Sequence, residues 1–200
     1  MKLTTNDLRT ALLNAADKME EHKDELTDLD REIGDGDHGI NMSRGFQAVK
    51  KELEAKQDFA DLGELSKLVG MTLIKTVGGA SGPLYGTIFV KFANTWKGVG
   101  EAEGDALVSG FEEALEGIKT RGKADAGEKT MIDVWTPFIN ALKSEGDLSH
   151  AIDEGLAHSK TIMATKGRAS YFGEATKGVQ DPGALSSSLL LNELKEALHD

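Results

Sequence analysis

The chain has 200 residues, a length that suits one domain with a substantial core, and no compositional break divides residues 1–200. Asp and Glu outnumber Lys and Arg by 34 to 23, a formal charge of -11 without a long basic run, which argues against a nucleic-acid or anionic-membrane partner. The absence of cysteine excludes disulfides, thiolate nucleophiles and cysteine-bound zinc, and without an apolar leader or a run near the ~18 apolar residues of a bilayer span a cytoplasmic location is expected.

Leu8, Leu12, Ala15 and Met19 recur at helical spacing behind the cap candidates Thr5 and Asn6, predicting a first amphipathic helix that ends before a glycine cluster. Met42, Phe46, Val49 and Leu53 repeat that stripe. Asp61 and Glu64 have capping-box spacing ahead of Leu65, Leu68, Val69 and Leu73. A turn through Gly78, Gly79, Ser81 and Gly82 leads by way of Pro83 into Leu84, Ile88, Phe92 and Trp96. Further stripes run through Val108, Phe111, Leu115 and Ile118, then through Met131, Val134, Trp135, Phe138 and Leu142, where Pro137 should kink the helix. Leu148, Ile152, Leu156 and Met163 form a seventh. A polar loop from about Thr165 to Gln180 follows, and Asp181-Pro182-Gly183 opens a last helix with Leu185, Leu189 and Leu194. No segment alternates with period two, so the fold class is all-α, with eight helices arranged as an antiparallel bundle or barrel.

The run from Asp30 to Gly39 packs three aspartates and three glycines into ten residues and is a poor place for a helix. Glycine turns let Asp30, Asp35 and Asp37 converge, and hard cations such as Mg²⁺ take carboxylate oxygens together with substrate phosphates. A solvated acidic turn is the competing reading of the same residues. Two motif readings fail. The pattern Gly34-x-Gly36-x-x-Gly39 lacks the preceding strand of a dinucleotide fingerprint and puts carboxylates beside the pyrophosphate. An EF-hand starting at Asp28 has Ile33 where glycine is needed and Gly39 where the bidentate Glu belongs.

Gly78 to Gly82 ahead of a helix offers backbone amides and the Ser81 hydroxyl to a phosphate, or is simply an interhelical turn. Gly117 to Ala124 misses the P-loop pattern, lacking its final Ser/Thr and its strand. Lys166, Arg168 and Lys177 concentrate positive charge in a loop, either as a lid over a phosphoryl group or as ordinary solvation. His38 could bind phosphate, ligate metal or cap a turn, whereas His22, His150, His158 and His199 read as surface residues.

The run Leu29 to Gly39 closely resembles the nucleotide-binding L subunits of dihydroxyacetone kinases. Gly78 to Thr87, Gly127 to Asp133, Lys166 to Tyr171 and Asp181 to Ala184 resemble the same family, in its order. The resemblance implies an eight-helix barrel with the nucleotide at one end. By it, Asp30, Asp35 and Asp37 would hold two Mg²⁺ ions bridging the phosphates of ADP or ATP. His38, Gly39, Ile40 and Asn41, with Ala80 and Ser81, would contact phosphate and nearby parts of the nucleotide. Gly122 and Met131 would lie against adenine, Arg168 would be the catalytic cation, and Asp181, Pro182 and Gly183 would close over the site. The family further implies that tightly held ADP is rephosphorylated by a phosphohistidine-bearing M subunit, the phosphoryl passing to dihydroxyacetone on a K subunit. The alternatives it leaves are a regulatory partner of a transcription factor, or an L-type domain of an ATP-dependent or fatty-acid kinase.

Overall fold

In the computed structural model, which describes residues 1–199, the eight apolar stripes are helices α1 (Thr5–Glu21), α3 (His38–Ala55), α4 (Leu62–Thr76), α5 (Ser81–Thr95), α6 (Gly104–Gly122), α7 (Ile132–Lys143), α8 (Leu148–Thr161) and α9 (Pro182–Glu196). Their packing closes on itself. Each helix of that series lies against the next, and α9 returns to α1. The shared interior holds one contiguous apolar cluster, in which Phe92 stacks on Trp96 at 4.4 Å between ring centroids and Phe111 meets Phe92 edge-on at 5.1 Å.

Two helical elements lie outside the eight expected. α2 (Lys23–Ile33) follows α1 after a break at His22 and packs on α3 and α9. Thus Asp30 to Ile33, expected in a non-helical run, form the last turn of a helix, and only Gly34 to Asp37 are irregular. A short 3₁₀ helix, Arg168–Thr176, occupies the loop after α8 and touches α2. Caps set several entries. Thr4, rather than the expected Thr5 or Asn6, caps α1 in a reciprocal box with Asp7. Asp61 accepts from the Glu64 amide at 2.7 Å, and Pro182 takes the first position of α9 behind Asp181.

At the other end of the molecule, β1 (Lys2–Thr4) pairs antiparallel with β2 (Glu101–Glu103), and Lys2 also exchanges backbone hydrogen bonds with His199 at 2.6 and 3.1 Å. This small clasp gathers both chain ends at the C-terminal end of α9, while the N-terminal ends of α3, α5 and α9 face one cleft.

Candidate nucleotide and metal site

Asp30 ends α2 with its carboxylate turned toward the start of α3. Its Oδ2 accepts from the backbone amides of Asp37 at 2.8 Å and His38 at 3.0 Å, doing for α3 what Asp37, whose side chain makes no cap bond, does not. That leaves Oδ1 free. A side chain at Gly34 would collide with that oxygen, so the glycine keeps space open beside it. Asp30, Asp35 and Asp37 each present a carboxylate oxygen such that all three atoms lie within 4.8 Å of one another, Asp30 buried and the other two exposed. Three anions this close repel strongly, and an all-oxygen donor set with room at its centre fits a hard divalent cation. The Arg168 Nε reaches Asp35 at 3.0 Å, tying the 3₁₀ helix to this cluster.

The opposite wall comes from the turn before α5. Gly79 adopts φ of 64°, which a side chain disfavours, and α5 begins at Ser81 without a side-chain cap. Its first amides therefore face the cleft with the positive end of the helix dipole behind them. Asn41 of α3 and Gly78, Ala80 and Leu84 around the α5 entry share this wall. The third contribution is the start of α9, where Asp181 accepts from the Ala184 amide at 2.8 Å and lines the cleft with Pro182 and Gly183. Burial pushes the Asp181 carboxyl up to about 7, partly opposed by the Ala184 amide and by Lys129.

Of the residues singled out in the sequence, the cleft brings together Asp30, Asp35, Asp37, His38, Asn41, Ala80, Ser81, Met131, Arg168, Asp181, Pro182 and Gly183. Three do not line it. Gly39 is turned to α2, where a side chain would strike the Lys23 carbonyl and Thr27, so it serves the close approach of two helices. Ile40 points outward and is 48% exposed. Gly122 lies exposed at the end of α6 beside Leu84. Lys166 joins the lining, while Lys177 does not.

Several cleft residues lay outside the sequence reading. Lys129, 1% exposed with φ of 60°, donates from Nζ to the Ser159 carbonyl at 2.7 Å and the Lys160 carbonyl at 3.3 Å, capping the end of α8 with a cation at the cleft wall. Asp133 orders the preceding loop by accepting from the Gly127 amide at 2.6 Å and the Thr130 amide at 2.8 Å. The signal for Lys129 in the sequence is its place in the Gly127 to Asp133 segment, whose resemblance to the family carries no role for that residue. His38 is buried, its ring held between Ser81 and Ser186, and burial keeps it down at about 4 against the pull of Asp30 and Asp35.

A predominantly helical fold with an acidic cluster and three helix starts around one cleft defines a helical domain with a polar site at one end. The DAK2 domain family matches residues 32–196, and the chain belongs to that family. Its relatives include the PEP-dependent dihydroxyacetone kinase 1, ADP-binding subunit DhaL, of Listeria innocua, 50% identical over 180 residues and covering 89% of each chain. The PEP-dependent dihydroxyacetone kinase, ADP-binding subunit DhaL, of Escherichia coli K12 is 42% identical over 205 aligned residues and 97% of each chain. Among solved structures, the dihydroxyacetone kinase from C. freundii in complex with AMP-PNP and Mg2+ superposes with a TM-score of 0.75 at 24% identity, covering 98% of this chain. This chain spans only 35% of that longer one, and the likeness there is one of fold.

Proposed function

We propose that this chain is the ADP-binding subunit of a dihydroxyacetone kinase, in which Asp30, Asp35 and Asp37 hold two Mg²⁺ ions against the phosphates of ADP or ATP. The observation that carries the reading is the convergence of three carboxylates, within 4.8 Å at their ligand atoms, on a cleft bounded by the starts of α3, α5 and α9. Magnesium, when bound, supplies the positive charge that neutralises phosphate oxygens beside these carboxylates. The relatives' names support the nucleotide and the kinase assembly.

The chain's own groups then divide the work. Asp30 is fixed by two backbone amides, so one oxygen is structural and the other is left for metal. Backbone amides from Ala80 and Ser81 onward, with the Ser81 hydroxyl and Asn41, hold phosphate oxygens. Met131 and Leu84 give the apolar wall for adenine, with Gly122 at its edge, and Asp181, Pro182 and Gly183 bound the mouth. Arg168, paired with Asp35 and largely exposed, is placed to neutralise charge on a transferring phosphoryl group. The phosphoryl group comes from a phosphohistidine-bearing M subunit to the tightly held ADP and leaves for dihydroxyacetone on a K subunit. No described helix is long and apolar enough to cross a membrane, and we place this assembly in the cytoplasm.

Calorimetry with Mg²⁺ and ADP tests the binding half: Asp30→Ala, Asp35→Ala and Asp37→Ala should each abolish nucleotide retention while the protein stays folded. Full ADP affinity in all three variants would overturn it. Reconstituted transfer from a phosphorylated donor to dihydroxyacetone tests the other half, since a purely regulatory protein would give no turnover.

A further inference from the structure

A line of buried polar groups runs inward from the cleft and crosses four helices. The Ser81 Oγ lies 3.0 Å from His38 Nδ1, and His38 Nε2 lies 2.8 Å from the Ser186 Oγ. Ser186 Oγ lies 2.6 Å from the Tyr85 hydroxyl, which is 3.0 Å from the Ser187 Oγ. The far end is the Trp135 indole, whose Nε1 donates to Ser187 Oγ at 3.1 Å. Every member past Ser81 is buried, so each hydrogen must find an acceptor within the line or in the helices that carry it.

An indole N–H can only donate, so the line is oriented from the Trp135 end, each later hydrogen going to its nearest acceptor. Ser187 accepts from Trp135, and its own hydrogen has the Tyr85 oxygen as acceptor in this network. Tyr85, accepting from Ser187, gives its hydrogen to Ser186 at 2.6 Å rather than to the Gly183 carbonyl at 3.5 Å. The Ser186 hydrogen has two acceptors, His38 Nε2 at 2.8 Å and the Gly183 carbonyl at 3.2 Å. The carbonyl is the longer contact and also faces the amide four residues on within α9, so the shorter acceptor takes the hydrogen. His38 Nε2 is then bare, Nδ1 carries the hydrogen, and Ser81 accepts it.

We infer that Tyr85, Ser186, Ser187 and Trp135 are positioning residues that hold His38 as its Nδ1–H tautomer and thereby leave the Ser81 hydroxyl hydrogen pointing to the cleft as a donor. A serine at a helix start can otherwise turn its hydrogen inward; here one lone pair accepts from His38 behind it and the hydrogen is left for the cleft. The hydrogen offered to the cleft is matched to an anionic oxygen. That last step, from Ser81 to a phosphate oxygen, rests on the nucleotide reading above, whereas the tautomer does not.

Long-range ¹H–¹⁵N correlation spectra of the nucleotide-free protein read the tautomer directly and need no variant. His38 should show a protonated-type Nδ1 and a bare-type Nε2; hydrogen on Nε2, or on both nitrogens at neutral pH, overturns the inference. In Tyr85→Phe the Ser186 oxygen is left with His38 as its donor and its own hydrogen can turn to the Gly183 carbonyl, so the ring should shift toward the Nε2–H form. An unchanged tautomer in that variant removes Tyr85 from the relay. Calorimetry of Tyr85→Phe with Mg²⁺ and ADP should give binding weaker by roughly tenfold, the scale of one hydrogen bond to a charged group. A flipped tautomer with unchanged ADP affinity would overturn the step from Ser81 to phosphate. Failure of the wild-type protein to bind ADP, with the Nδ1–H form observed, would instead count against the nucleotide reading.

Discussion

His38 and Asp181 bracket the same cleft and respond to burial in opposite electrical senses. His38, held down at about 4, is neutral in the folded protein, whereas the unfolded chain takes up a proton near 6.5, so its contribution is full above 6.5 and is lost as pH falls toward 4. The full loss is on the order of 3 kcal/mol. Asp181 runs the other way. Raised to about 7 from 3.8, its carboxyl binds a proton more tightly when folded, so its ionisation costs stability as pH rises from 3.8 through 7. The two largely offset in wild type, and single variants should expose them. Followed by thermal unfolding in EDTA, His38→Gln should gain on wild type as pH drops from 6.5 to 4. Asp181→Asn, which can still accept from the Ala184 amide, should be ahead of wild type at pH 7.5 and lose that lead by pH 4. Parallel curves for all three proteins would contradict the burial argument.

Among the elements, α2 has the most work for its length. It supplies Asp30, packs on α3 across Gly39, and receives the 3₁₀ helix that carries Arg168. A methyl group at Gly39 must push α2 off α3 and carry Asp30 away from Asp35 and Asp37. Gly39→Ala should cost about 2–3 kcal/mol in denaturant unfolding and also weaken Mg²⁺-dependent ADP binding. Ile40→Ala, one residue on but exposed, should change stability by less than about 0.5 kcal/mol. The same helix marks the boundary of what the sequence could tell. The eight ring helices were legible because each buries an apolar face repeated every three or four residues. α2 carries Leu26, Leu29 and Ile33 at helical spacing, but this stripe spans only two turns among charged residues and its last turn runs into the glycine-bearing acidic run, which masked it as a helix. The convergence of the three carboxylates was legible for the converse reason: they sit within eight consecutive residues. The line from Ser81 to Trp135 was not, since α3, α5, α7 and α9 each give only one or two ordinary-looking residues to it and only the closed packing brings them together.

At the scale of the whole molecule, the proposed function asks a chain of net charge -11 to receive an anion. On that proposal the cleft offers helix starts, Lys129, Lys166 and Arg168, and carboxylates that would need a cation before they could help. Nucleotide and metal should therefore stabilise only together. ADP with Mg²⁺ at a hundred times its dissociation constant should add about 2.7 kcal/mol to the folded state, seen as a raised Tm, and ADP in EDTA should add little. An equal shift without the cation would show that the carboxylates are not its ligands. The closed ring also separates the two ends of this protein. α9 runs 15 residues, about 22 Å of helix, from the cleft to the clasp where Lys2 meets His199. Anything tethered beside either of those residues, whether a surface linker or a fluorophore, hangs from the clasp and leaves the cleft clear.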